Sequence, residues 1–223
     1  MEQTYKIFPN VKIGPGAEIG EFCLIGVPPR GHKPGELETV IGANAVIRSH
    51  SVIYAGNKIG DDFQCGHAAI LRESNVIGNH VSIGTRSTVE HHIEIGNGVR
   101  IQGHSGIAEY SVLEDECWLG PYVLFTNTPR PTCKNAKQCV TAPRVGRKAI
   151  LAGRVTLAPG VTVGEGAFVG LGCLVSKDVP AFKFVAGPKA TVIGDTNSMT
   201  CPFDASEEPC YHDAIQYLVN TAG

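Results

Sequence analysis

Residues 76–125, VIGNHVSIGTRSTVEHHIEIGNGVRIQGHSGIAEYSVLEDECWLGPYVLF, carry an apolar residue at every sixth position: Ile77, Ile83, Val89, Ile95, Ile101, Ile107, Leu113, Leu119 and Phe125. The same phase runs back through Leu71, Cys65, Ile59, Ile53 and Ile47 to Ile41 without a miss. It returns at Val145, Leu151, Leu157, Val163, Val169 and Val175, and an earlier short run holds Ile13, Ile19 and Ile25. A second column, four residues after the first, holds Val81, Ser87, Ile93, Val99, Ser105, Ser111, Cys117 and Val123. Two inward columns per hexad match neither the 3.6-residue period of a helix nor the two-residue alternation of hairpins. They match short strands joined by turns and coiled so that each coil stacks on the next, an all-β parallel β-helix. Glycine often follows the apolar residue, as in Ile77-Gly78 and Ile83-Gly84, where it is expected to supply the turn position.

The bulk composition agrees. A chain of 223 residues with 27 glycines and only 7% aromatics implies many tight turns around an aliphatic core. A formal charge of −2 gives no basic surface for nucleic acid or an anionic membrane. No apolar run reaches membrane-spanning length, so no membrane insertion is expected. The start, Met1-Glu2-Gln3-Thr4-Tyr5-Lys6, has no signal-peptide pattern, and the expected compartment is the cytoplasm.

Two interruptions break the register. Residues 27–39 (VPPRGHKPGELET) and 127–143 (NTPRPTCKNAKQCVTAP) are rich in Pro, Gly and charge and read as loops extruded from the coil. The repeat domain is expected over residues 1–195. A tail, 196–223, follows, in which residues 212–221 (HDAIQYLVNT) form a candidate short helix.

The pattern [LIV]-G-x-x-[small]-x resembles the left-handed β-helix acyltransferases, in which three hexads make one 18-residue triangular coil. The resemblance implies the handedness, which periodicity alone does not give and which runs against the usual crossover rule. With an 18-residue coil, Glu73, His91, Glu109 and Asn127 fall above one another on one outer face, and His92, Tyr110 and Thr128 form the next column. Neighbouring coils lie about 4.8 Å apart. Polar rows also arise on β-helix surfaces without function, so spacing alone leaves both readings open.

Further segments narrow the resemblance. Gly66-His67…Leu71-Arg72-Glu73, Val89-Glu90-His91-His92 and Leu119-Gly120-Pro121…Phe125-Thr126-Asn127 are similar to the subgroup that N-acetylates amino sugars on nucleotide carriers. The ending Val175-Ser176-Lys177-Asp178-Val179-Pro180…Val185-Ala186-Gly187-Pro188 resembles that subgroup's terminal coil. The likeness implies His91, Glu109 and Asn127 around the sugar amine. Where the family reads Thr-Asn-Asp, this chain has Thr126-Asn127-Thr128. His91 is expected either to take the amine's proton with Glu109 orienting the ring, or only to hold the amine while the departing CoA sulfur takes the proton. Glu73, Arg72, His92, Tyr110, Thr128 and Arg48 are the expected substrate contacts, with the 27–39 loop and Tyr54 toward the nucleotide. For acetyl-CoA the candidates are Arg147, Lys148, Arg154, Lys177 and Lys189 for phosphates, and Ala152 and Gly170 for exposed backbone groups. The family implies a homotrimer with active sites between subunits. The competing readings are an acyl-carrier-protein-dependent O-acyltransferase of lipid A type, a γ-type carbonic anhydrase, which needs a three-histidine zinc site, and a non-catalytic binding module.

The eight cysteines divide evenly. Cys65 occupies the first inward column and Cys23, Cys117 and Cys173 the second, so these four read as core residues. Cys133, Cys139, Cys201 and Cys210 fall outside the coils. They read as free surface thiols, with a structural zinc site as the candidate alternative if the tail folds over the loop, where His212 could replace one ligand, and disulfides as a third reading.

Overall fold

The computed structural model describes residues 4–132, 134, 136–188 and 191–195. The chain is a left-handed parallel β-helix of about 10 turns. Its strands, mostly two residues long, form three parallel sheets that make the faces of a triangular coil. The first face includes Val52–Tyr54, Ile70–Leu71, Thr88–Val89, Gly106–Ile107 and Leu124–Phe125. The second includes Val76–Ile77, Glu94–Ile95, Val112–Leu113 and Arg144–Val145. The third includes Ser82–Ile83, Arg100–Ile101, Trp118–Leu119 and Ile150–Leu151.

The register is the one an 18-residue coil requires. Ile53, Leu71, Val89 and Ile107 stack as successive Cα partners on the first face. Each is at most 1% exposed. Such a residue contributes about 1.5–3 kcal/mol by leaving water, and the stack repeats on all three faces. Between coils, main-chain amides donate to the carbonyls of the next coil, as in Gly84 N to Ile101 O (2.7 Å) and Glu90 N to Ile107 O (3.0 Å). The right-handed crossover rule rests on a twisted strand feeding a helix, and strands of two residues supply neither condition.

The corners correct the expected role of glycine. From Asn44 to Tyr122, every third residue after an inward apolar residue has φ between +54° and +89°. These left-handed positions turn the chain, and most hold non-glycine residues, including His92, Tyr110 and Arg86. The glycine directly after the apolar residue has a different role. A Cβ on Gly84 would lie 2.2 Å from the amide nitrogen of Gly103 in the coil above. Close approach of backbone, rather than turning, excludes a side chain there.

Polar side chains inside the coil are paired. Asn75 Nδ2 donates to Arg72 O at 2.8 Å, and its Oδ1 accepts from Ile93 N at 2.8 Å. Ser87 and Ser105 form an equivalent ladder at another corner. Cys23, Cys65, Cys117 and Cys173 are at most 2% exposed, and burial pushes the Cys65 thiol up to about 11, so the inward cysteines are unreactive core. The two register breaks are loops, bounded by strands Leu24–Val27 and Thr39–Ile41 and by strands Leu124–Phe125 and Arg144–Val145; Val27 and Thr39 themselves belong to strands. The last parallel strand, Lys183–Ala186, is covered by an antiparallel one, Thr191–Asp195. Among the described residues no helix is long and apolar enough to cross a membrane. The candidate helix 212–221 lies outside the described residues.

Gly84→Ala forces backbone apart in two coils and is expected to cost about 2–3 kcal/mol. Gly172→Ala, where φ is +70° but no atom lies within 4 Å of the added Cβ, is expected to cost about 1 kcal/mol. Urea unfolding of both variants checks the order; equal losses would mean that turning, not stacking, dominates.

Candidate active site

The row sits on the corner that leads from the first face to the second, where strand Thr88–Val89 passes into Glu94–Ile95. Both loops leave the coil at this same corner, the first two coils below Glu73 and the second in the coil of Asn127. Four uninterrupted corners lie between them, and five coil spacings separate the loops by roughly 24 Å.

The row divides into two groups. In the lower one, Arg72 makes a bidentate pair with Glu73, 2.9 Å at each contact, and its Nη1 lies 3.4 Å from Glu90. The guanidinium stands over the Tyr54 ring at 5.1 Å. Burial pushes the Glu73 carboxyl up, but the Arg72 hydrogen bond, backbone bonding and nearby positive charge outweigh it and hold the pKa below the ordinary value. Glu90 was not among the residues expected at the site. It lies one coil above Arg72 in sequence register, so the 18-residue spacing held the signal.

In the upper group, His91 Nε2 lies 2.7 Å from Glu109 Oε2, with the two side chains 22% and 31% exposed. His91 Nδ1 lies 2.9 Å from His92 Nδ1. The Tyr110 ring packs 5.5 Å from both imidazoles. His92 N donates to Glu73 O at 3.2 Å and Tyr110 N to His91 O at 3.3 Å, so each coil anchors the next. Asn127 Nδ2 donates to the main-chain carbonyl of Glu109 at 3.3 Å, and its Oδ1 accepts from Thr128 at 3.1 Å. Asn127 O also receives Thr141 N at 2.8 Å, which closes the base of the second loop. The edge therefore sets one guanidinium against three carboxylates, Glu73, Glu90 and Glu109, an environment that favours a cationic guest.

A second polar row ties coil to coil. Asp61, Asn79, Asn97 and Asp115 stack on the next corner, where each side-chain oxygen accepts the main-chain amide of the coil below at 2.7–2.9 Å. The His91 row differs in that Glu73, His91 and Glu109 pair with side chains, and only Asn127 bonds the backbone of the coil below.

The remaining expected residues are not gathered here. Arg48 lies on the corner between the third and first faces, with its carbonyl accepting from Ser51. Arg147 and Lys148 lie on the corner between the second and third faces and pair with Glu165 and Glu116. Arg147 also lines an open groove of about 520 Å³ with Glu94, Glu114 and Arg144. Arg154 stands over Tyr122 on the third corner. Ala152 N and Gly170 N donate to Val169 O and Val185 O at 2.8 Å, so these amides are engaged between coils and not exposed for a ligand. Lys177 alone of this set shares the row's corner, exposed, two coils above Asn127. Lys189 lies outside the described residues. So do Cys133, Cys201 and Cys210, and no group of three metal-ligating residues occurs among the described ones. Cys139, partly exposed at the end of the Ala136–Cys139 turn, is a free thiol, and zinc has no support here.

Residues 76–109 match the family model described as bacterial transferase hexapeptide (six repeats). The chain is similar to the acetyltransferase domain of PglB from Neisseria gonorrhoeae FA1090, solved with acetyl coenzyme A, at 17% identity and a TM-score of 0.37 over 59% of this chain and 55% of that one. It is similar to a mutant of GDP-perosamine N-acetyl transferase from Caulobacter crescentus, solved with CoA and GDP-perosamine, at 24% identity and a TM-score of 0.38, over 63% of this chain and 57% of that one. It is also similar to the Arabidopsis UDP-N-acetylglucosamine acyltransferase, at 20% identity and a TM-score of 0.48 over 85% and 72% of the two chains. The chain thus spans little more than half the length of the first two. Identities of 17–24% leave the side chains of the edge to carry the chemistry.

Arg72→Ala removes both side-chain hydrogen bonds to Glu73 and is expected to lower stability by about 1–2 kcal/mol at pH 7. A depressed carboxyl pKa contributes stability above the unfolded value, about 4.3, and loses it as pH falls through the folded value. The deficit should therefore shrink toward pH 3, as checked by urea melts. An unchanged deficit at low pH would point to lost packing against Tyr54 instead.

Proposed function

We propose that the chain, whose residues 76–109 carry the transferase hexapeptide repeat, is an acetyl-CoA-dependent N-acetyltransferase acting on the amino group of a nucleotide-linked amino sugar. The observation that carries this reading is the 2.7 Å His91–Glu109 pair, set with His92 between a lower carboxylate group and Asn127 on the edge that both loops flank. Acyl transfer to an amine needs a group that removes a proton as nitrogen attacks the thioester carbon and the CoA thiolate leaves. A histidine pair backed by a carboxylate suits that task. The excess of carboxylates at Glu73, Glu90 and Glu109 favours an arriving ammonium over a neutral hydroxyl, the ammonium losing one proton to solvent before the neutral amine attacks. Asn127 and Thr128 offer neutral hydrogen-bonding partners for sugar hydroxyls.

Among the described residues no Ser or Cys hydrogen-bonds to His91 or His92, and in this reading acetyl passes directly from sulfur to nitrogen. Acetyl-CoA is placed along the upper part of the edge, past the 127–143 loop toward Lys177, whose ammonium would meet a phosphate. Arg147, Lys148 and Arg154 lie on other corners and would reach the same CoA only across a subunit boundary. A homotrimer supplies that boundary. In support, the first face carries a line of exposed apolar residues, Leu24, Ile70, Leu124 and Leu174, beside the edge that holds the row. The cytoplasm is the compartment this reading assigns.

Thiol release from acetyl-CoA, measured with a panel of UDP-, dTDP- and GDP-linked amino sugars, should show turnover with at least one. Glu109→Gln and Asn127→Ala should each lower kcat about 100-fold with that sugar. Leu124→Glu should convert a trimer to a monomer in light scattering and abolish activity. No turnover with any amino sugar, together with no CoA binding by calorimetry, would sink the reading.

A further inference from the structure

Both ring nitrogens of His91 are spoken for inside the protein. A carboxylate has only acceptors, so the 2.7 Å contact requires a hydrogen on His91 Nε2, donated to Glu109. A neutral imidazole then has a bare Nδ1, and the 2.9 Å contact requires His92 to donate its Nδ1 hydrogen to it. His92 is left with a bare Nε2. Its side chain is exposed where that of His91 is half-buried, and Tyr110 limits it on one side. In a neutral His91 the reverse arrangement, with Nδ1 donating, would aim a nitrogen lone pair at the Glu109 carboxylate. A doubly protonated His91 would donate from both nitrogens and put the hydrogen of His92 on Nε2, the outcome that the tautomer measurement below separates.

We infer that His92 Nε2, not His91, is the atom that takes the proton from the substrate amine, and that His91 and Glu109 form a relay behind it. This rests on the acetyltransferase reading and deepens it. As the amine nitrogen bonds to the thioester carbon, its N–H bond breaks and a bond to His92 Nε2 forms. The His92 Nδ1–H bond then breaks as His91 Nδ1–H forms. The positive charge settles on His91, against the Glu109 carboxylate and within reach of Glu73, one coil below. When the leaving thiolate is protonated the steps reverse, and the enzyme returns to its starting state with no net proton gained. His92 is thus the catalytic residue, and His91 and Glu109 are positioning residues that hold its tautomer and receive its charge.

Long-range proton–nitrogen NMR on the full chain without substrate reads the tautomers directly. The expected result is a hydrogen on Nε2 of His91 and on Nδ1 of His92. A hydrogen on Nε2 of neutral His92 overturns the relay. In kinetics with a sugar the wild type turns over, His92→Ala and His92→Gln should each lower kcat about 100-fold or more with little change in KM. Imidazole added to the buffer should restore part of the rate to His92→Ala, whose missing ring faces solvent, but not to His91→Ala. Retention of kcat within about threefold in a folded His92→Ala, with His91→Ala inactive, makes His91 the base and overturns the proposal. The acid limb of kcat/KM should move to lower pH in Glu109→Gln, because the imidazolium loses its carboxylate while Glu73, Glu90, Arg72 and Tyr110 stay in place; an unmoved limb counts against the relay. Failure of the wild type on every amino sugar, together with no CoA binding, would refute the transferase reading but not the hydrogen placement, since the tautomers are read without turnover.

Discussion

Everything in this molecule depends on the distance at which one coil lies on the next. Main-chain amides reach the carbonyls of the neighbouring coil at 2.7–3.0 Å around most of the perimeter, and that separation has no room for a side chain at the residue after each inward apolar one. Gly84 shows the constraint most sharply, since even one methyl group would strike the backbone of Gly103. The same closeness aligns side chains 18 residues apart into continuous columns. Apolar columns inside then make a core in which each residue is packed by its own equivalents above and below. The cost is concentrated at the corners, where residues as large as Tyr110 and Tyr122 are held at φ above +60°.

Stacking of this kind also makes chemistry cheap to position. An outward side chain on one corner meets its equivalent one coil away without any loop having to carry it. On the corner between the second and third faces this yields the Asp61–Asn79–Asn97–Asp115 ladder, which only ties coils together. On the corner before it, the same geometry yields an ion pair under a histidine pair, with Asn57 and Asn75 clamping the backbone from inside. The site is therefore preorganised by the coil itself. The two loops leave the coil at either end of that edge.

The fold was legible because its cause is periodic. Hydrophobic spacing records the inward columns directly, and the cysteines at positions 23, 65, 117 and 173 could be assigned to the core from phase alone. The role of glycine was misjudged for a physical reason: steric exclusion by a neighbouring coil leaves the same mark in sequence as a need for positive φ. The site was partly legible. Spacing of 18 aligned Glu73, His91, Glu109 and Asn127, and would equally have aligned Arg72 with Glu90. Arg48, Arg147 and Arg154 lie on other corners of the same chain, and repeat length says nothing of which corners meet between subunits.

By itself the sequence determined the coil, its register, the two loops and the vertical neighbours of each outward residue, because all of these follow from counting along a chain of fixed repeat. Only the tertiary structure decided which neighbours pair and through which atoms. Glu73 turns to Arg72 rather than to His91, Asn127 bonds a carbonyl rather than a carboxylate, and His91 is held at both nitrogens. Those choices depend on side-chain rotation and on competition among donors and acceptors at distances near 3 Å, and a repeat length carries no information about either.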